Sequence, residues 1–139
     1  MSNYISNILV IKGNRFFLDR IIGRKFCLAN TVPIPDEIGT VDWFYENWGI
    51  AWDVHEDVQV DYLAKSTRIT FYTPWNPPLK WLEKVGLLFP DCKFILYWAG
   101  EYPKCGKVKV QNEEYEGILW NEGPQAKTFY RRHFHYNST

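Results

Sequence analysis

Residues 76–98 read NPPLKWLEKVGLLFPDCKFILYW, and they decide the fold. Asn76 is placed to cap a helix and Pro77 to occupy its first turn, where a missing N–H is no loss. Leu79, Leu82, Val85, Gly86 and Phe89 then share one side of a helix running from about Pro77 to Leu88. Gly86 on that side would let the helix approach a sheet closely. Pro90-Asp91 ends it, and Phe94 to Trp98 is a wholly apolar strand, expected at the centre of a sheet.

Working upstream, Val58, Val60 and Tyr62 alternate with Gln59, Asp61 and Leu63, and Ile69 and Phe71 alternate with Arg68, Thr70 and Tyr72. With Ala64 to Ser66 between them, the two strands predict a hairpin. Tyr4 to Ile11 is apolar and β-branched, a strand buried on both faces. Gly13-Asn14 breaks it. Phe17, Leu18, Ile21 and Ile22 then form a short amphipathic helix over about 14–22, capped by Asn14 and stopped by Gly23. Residues 25–56 are an irregular insertion. Val32-Pro33-Ile34-Pro35 excludes helix, because a residue before proline is pushed to extended geometry. Two helical turns over Val41–Trp48 follow a Thr40 cap, with Phe44 and Trp48 on the apolar side and Gly49 as the stop.

Without the insertion the order is βαββαβ. The chain is therefore α+β, with a ferredoxin-like (split βαβ) antiparallel sheet and two main helices on one face. The expected core is Ile8, Val10, Leu18, Ile21, Phe71, Leu82, Val85, Phe94 and Leu96. Residues 1–98 make this portion, and 99–139 a C-terminal β extension of the same single domain, 1–139. In the extension, Val108 and Val110 alternate inside Lys107–Gln111, and Tyr115–Trp120 follows a polar turn. Over Lys127–His135, Thr128, Tyr130, Arg132 and Phe134 alternate against Phe129, Arg131, His133 and His135, which predicts a further strand.

The chain has 139 residues, with 16 basic and 16 acidic side chains cancelling to zero net charge. That balance argues against coating nucleic acid by bulk electrostatics, and equally against an acidic DNA mimic. No apolar run approaches a membrane span, and Met1-Ser-Asn-Tyr has no basic leader, so a cytoplasmic protein is expected. Cys27, Cys92 and Cys105 have no C-x-x-C spacing and are expected to be free thiols in a reducing compartment. His133 and His135 would supply half a zinc site with no Cys pair near by in sequence, so no metal and no cofactor are expected.

The linked elements Trp43, Glu46-Asn47-Trp48-Gly49, Trp52-Asp53, Thr73-x-Trp75-x-Pro77-Pro78 and Phe89-Pro90-Asp91 resemble a phage and plasmid family, the Api-like, YubB-like ferredoxin-like domain group. The start Asn3-Tyr4-Ile5-Ser6-Asn7 and the Pro33-Ile34-Pro35 step are similar to it as well. The resemblance covers about residues 1–98. It implies a ferredoxin-like domain carried by phages and mobile elements, with no catalytic residues to transfer. Trp43, Trp48, Gly49, Trp52, Trp75, Pro77 and Pro78 are expected to be structural, seating the insertion on the sheet and fixing the Pro-Pro turn.

The residues leave three classes of function open. For an enzyme, Asp53-Val54-His55-Glu56 is the closest local cluster, but it lacks a nucleophile motif or phosphate loop. A single-stranded nucleic-acid binder would use exposed aromatics beside basic residues, as Tyr130-Arg131-Arg132-His133 offers. A protein-binding module fits the surplus of Trp and Tyr, 18% aromatic residues in all. The expectation is a non-catalytic protein that binds and modulates or inhibits a host protein in the host cell cytoplasm, a counter-defence, anti-CRISPR-like inhibitor among its forms. A nucleic-acid module and a sponge for a small nucleotide signal are the alternatives. Tyr130, Arg131, Arg132 and His133 are the expected partner contacts.

Overall fold

The computed structural model describes residues 4–35, 40–54, 56–120 and 122–134. Along the chain come β1 (Tyr4–Lys12), α1 (Arg15–Ile22), α2 (Val41–Asn47), β2 (Gln59–Tyr62), β3 (Thr67–Pro74), α3 (Leu79–Leu88), β4 (Lys93–Ala99), β5 (Cys105–Gln111), β6 (Glu114–Trp120) and α4 (Pro124–Phe134). The strands form one sheet in the order β2-β3-β1-β4-β5-β6, and every neighbouring pair is antiparallel. The first four strands are the split βαβ plan, with β3 inserted between β1 and β2. β5 and β6 continue the sheet beyond β4.

Cross-strand register assigns the two faces. On the closed face, Leu9 stands between Ile69 and Leu96, and Leu96 is opposite Val108. All four are buried, with Ile5, Ile11, Phe71, Phe94 and Val110 around them. Helices α1 and α3 cover this face through Leu18, Ile21 and Ile22, and Trp81, Leu82 and Val85. The expected core thus needs correction at β1: Ile8 and Val10 point to the opposite, open face and are only half-buried, while Leu9 and Ile11 enter the core. Both sets are apolar and β-branched or branched, so alternation alone could not choose between them.

Local chemistry sets the helix ends. Asn14 caps α1 by accepting from Phe16 N–H at 2.8 Å, and Gly23 ends it at φ 62°. Asn30 closes the same end, its Nδ2 donating to the carbonyls of Ile22 and Lys25 at 2.9 and 3.1 Å. Thr40 caps α2, accepting from Trp43 N–H. Helix α3 departs from expectation: it starts at Leu79 behind Pro78, and no side chain caps it. The Asn76 carbonyl instead accepts from Thr73 Oγ1 at 2.7 Å, which folds residues 73–76 into a turn rather than a cap. Gly86 brings α3 onto β5, since a Cβ there would lie 2.4 Å from Val110 Cγ1.

The insertion joins the closed face. Trp48 is fully buried, stacked on Phe44 at 5.1 Å, and its Nε1 donates to Val32 O at 3.0 Å. Trp81 is equally buried and its Nε1 donates to Thr31 Oγ1 at 3.0 Å, so neither indole leaves a polar atom unpaired in the core. Phe26 packs on Phe71 and Trp81.

The largest correction concerns the C-terminus. The expected strand over Lys127–His135 is helix α4, with His135 outside the described residues. Gly123 at φ 97° and Pro124 in the first turn begin it, and Lys127 N–H donates to Gly123 O. The same residues that alternate also recur at four: Ala126 with Tyr130, Phe129 with His133, Tyr130 with Phe134. A helix turns those pairs to one side, where they pack over β4 and β5 and Phe129 and His133 meet Tyr97. β6 itself is exposed from Glu114 to Leu119. Among the described residues, no helix is long and apolar enough to cross a membrane.

Candidate functional site

The open face of the sheet carries the chain's recessed aromatic surface. Tyr4 of β1 and Tyr72 of β3 project from two neighbouring inner strands and are both half-exposed, at 51%. The loop from α2 to β2 runs beside them. Asp53 anchors that loop: Oδ1 accepts from Leu28 and Val54 N–H at 2.7 Å each, and Oδ2 from Ala29 N–H at 3.1 Å. Trp52 is presented just before the anchor. Trp52, Asp53, Val54, Glu56 and Asp57 with Tyr4 and Tyr72 enclose a cleft of about 400 Å³.

Trp75 backs one wall, its ring 5.7 Å from that of Trp52. Its backbone has φ 57°, a region that bulky side chains rarely adopt, and Asn76 N–H donates across it to Pro74 O. A buried polar chain holds this turn. Asn7 Nδ2 on β1 donates to Thr73 Oγ1 at 2.9 Å, which donates in turn to Asn76 O. The aromatic wall is therefore tied to the central strand.

A second cavity, of about 680 Å³, shares Asp57 and Tyr72 with the first and extends along the face over Ser6, Ile8 and Thr70. His133 and Phe134, at the end of α4, close it. Helix α4 covers β4 and β5 on this same face. His133 stacks on Tyr97 at 4.6 Å, with Phe129 beside both. Tyr130 donates from its hydroxyl to Gly100 O at 2.6 Å, and Cys105 Sγ lies against Ala126 O. Burial, and then the positive charges of Arg132 and Lys107, lower the His133 pKa.

The helix separates the four expected contact residues. Tyr130 and His133 pack inward on the sheet, and Arg131 and Arg132 are exposed in the last turn. Strand alternation would have grouped Arg131 with His133 on one side. The Trp motif divides as well. Trp43 packs edge-on against the buried Trp48 in the insertion, and Gly49 at φ 82° turns the chain out of α2. Trp52, 38% exposed, lines the cleft, and Trp75, 51% exposed, packs against the Trp52 ring. Pro78 is buried at the start of α3, with Pro77 half-buried beside it. Sequence reading missed Tyr4 and Tyr72; their signal was the polar-side position of Tyr72 in the β3 alternation.

In the Asp53-Val54-His55-Glu56 cluster, His55 lies outside the described residues, and Asp53 is committed to three backbone amides. The three cysteines are free thiols. Cys92 is buried in the core and Cys105 under α4, and burial pushes both thiols up. Among the described residues, no three His, Cys, Asp or Glu side chains converge as metal ligands.

The family model for the ferredoxin-like domain in Api92-like proteins matches residues 47–132. The chain belongs to that family. The match runs from the end of α2 into α4, so the C-terminal third is part of the Api92-like domain, past Trp98 where the resemblance read from sequence stops. Among solved structures, the crystal structure of a protein api92 from Yersinia pseudotuberculosis is similar, with a TM-score of 0.54 and 15% identity over 70% of this chain. The likeness extends to 40% of that longer chain and shows the shared fold. A comparison with curated proteins finds no match.

Proposed function

We propose that this Api92-like domain is a non-catalytic binding module of a phage or mobile element, which grips a host protein in the host cytoplasm and modulates or inhibits it. A counter-defence, anti-CRISPR-like inhibitor is one form of such a protein. The observation that carries the reading is the trough on the open face: Tyr4, Tyr72, Trp52 and Trp75 remain 38–51% exposed in a molecule that fully buries Trp48 and Trp81. Exposed Tyr and Trp mounted on rigid elements are the residues on which protein interfaces concentrate their energy. An open surface suits holding a partner, whereas catalysis gains from excluding water. The phage or mobile-element setting is supported by the sequence resemblance.

Tyr4 and Tyr72 also favour a second reading. Exposed aromatics on the inner strands of an open sheet face are a stacking platform for single-stranded nucleic acid. The carboxylates of Asp53, Glu56 and Asp57 beside them weigh against it, and against a sponge for a phosphorylated nucleotide. Tagged wild-type protein and Trp52→Ala/Tyr72→Ala protein are to be used as baits in host lysate, with and without nuclease. A protein captured by the wild type alone, and unaffected by nuclease, supports the proposal. Capture that nuclease abolishes favours the nucleic-acid reading, and equal capture by both baits places binding elsewhere.

A further inference from the structure

The two edges of the sheet differ. β2 is four residues long, and its Asp61 stands 3.7 Å from Arg68 of β3, a charged pair that guards a short edge. β6 is seven residues long and paired to β5 throughout, and among the described residues no strand lies along its outer row of backbone N–H and C=O groups. Such a row is a template for a further strand. Register with β5 divides the side chains of β6. Tyr115, Gly117 and Leu119 lie on the closed face, opposite Val110, Val108 and Gly106, and Glu114, Glu116 and Ile118 lie on the open face. Tyr115, Ile118 and Leu119 are 46–55% exposed. Helix α3 reaches β5 through Gly86, and its exposed Leu87 borders the same surface hollow as Tyr115. β6 therefore displays apolar side chains and an open backbone together, a combination that edge strands ordinarily avoid.

We propose that β6 pairs antiparallel with β6 of a second copy of this chain, making a two-fold dimer with one continuous sheet. The sequence of the strand selects this occupant. When two copies overlap over the whole of β6, the two-fold axis passes between the two Gly117 residues. Tyr115 then stands opposite Leu119 of the partner subunit, and Glu116 opposite Ile118 of the partner subunit. Two apolar pairs form on the closed face, and no two carboxylates meet. Parallel pairing in register would set Glu114 and Glu116 each against its own copy, and antiparallel pairing centred on Tyr115 or Glu116 would also oppose glutamates. The β5 strands of the two copies would lie three strand spacings apart, roughly 14 Å. That leaves room for both α3 helices to flank Tyr115 and Leu119. Seven residues a side is a small contact, so the dissociation constant should be on the order of 100 µM. A two-fold axis normal to the sheet turns both open-face clefts to one side, and neither takes part in the pairing.

The test is sedimentation equilibrium of the whole chain from about 1 µM to about 1 mM, with hydrogen exchange measured at both ends of that range. The mass should rise from one chain toward two, and exchange in β6 should slow with concentration while exchange in β2 does not. In the dilute, separate chain β6 stays an open edge. Two substitutions at Ile118 read the register. Ile118→Glu sets a carboxylate opposite Glu116 of the partner subunit, twice in each dimer, and Ile118→Lys sets an ammonium there. The Glu variant should therefore dimerise at least about ten-fold more weakly than the Lys variant. Ile118 is half-exposed and outside the core, so both variants should keep the slow exchange of β1. A chain that stays monomeric throughout the range overturns the inference and leaves the edge to a strand of another protein. Dimerisation that leaves exchange in β6 unchanged, or that treats the two variants alike, places the contact elsewhere and overturns it as well.

Discussion

The two faces of the sheet use the same residue types to opposite ends. On the closed face, Trp48 and Trp81 are fully buried and each indole N–H has its acceptor inside the protein. Trp52 and Trp75 instead stay partly exposed, packed edge to face on each other at the ends of turns. Composition makes no distinction between them, and neither does their clustering with Gly and Pro. What separates them is the backbone that carries each one. Trp48 follows a helix that lies on the core, while Trp75 sits at φ 57° in a turn pinned to β1 by Asn7 and Thr73. An aromatic motif is thus two sets of residues, one that builds the domain and one that the domain displays.

Mutation should pull the two sets apart. Trp48→Ala removes a fully buried ring and is expected to cost about 3–5 kcal/mol in denaturant unfolding. Trp52→Ala should cost less, about 1–2 kcal/mol, because the ring is 38% exposed and packs only in part. Equal losses at the two positions would break the division. Gly86→Ala sharpens it from the helix side: a Cβ that meets Val110 forces α3 off β5, and about 1–3 kcal/mol should be lost in the same assay.

The open face has its own weaker attachment, α4. Tyr130→Phe deletes the hydroxyl donated to Gly100 O, and a loss of about 1 kcal/mol is expected. The smallest effect is the pH response of His133. Its folded pKa lies below the ordinary 6.5, so the unfolded chain takes up the proton first as pH falls. The contribution of neutral His133 is complete above about pH 6.5 and is lost on acidification toward its folded pKa. Wild-type stability should therefore fall more steeply than that of His133→Gln between pH 7.5 and 5, and parallel curves would show that burial does not shift His133.

Much of the closed face was legible because its strands have a polar side. β3 alternates buried and exposed residues along Thr67–Thr73, and the Val85-Gly86 pair announced a helix lying close on a sheet. β1 was legible as a strand but not as to its faces, since Ile8 and Val10 are as apolar as Leu9 and Ile11. Residues 127–134 carried two periods at once, and the local signal for a helix is the Gly123-Pro124 start, with Gly123 at φ 97°. Half of the candidate site escaped for a related reason. Tyr4 and Tyr72 look like ordinary strand aromatics until the topology places them side by side on a face that α1 and α3 leave uncovered.

β6 is bonded to β5 on one side and exposed from Glu114 to Leu119. Little side-chain burial ties its backbone to the rest of the domain, so it should open on its own, without the core unfolding. Amide protons should exchange with deuterium fastest there and slowest in β1, the strand bonded on both sides at the middle of the closed face. The chain would then have a graded interior, in which the outermost strand unzips and re-forms many times for each complete unfolding.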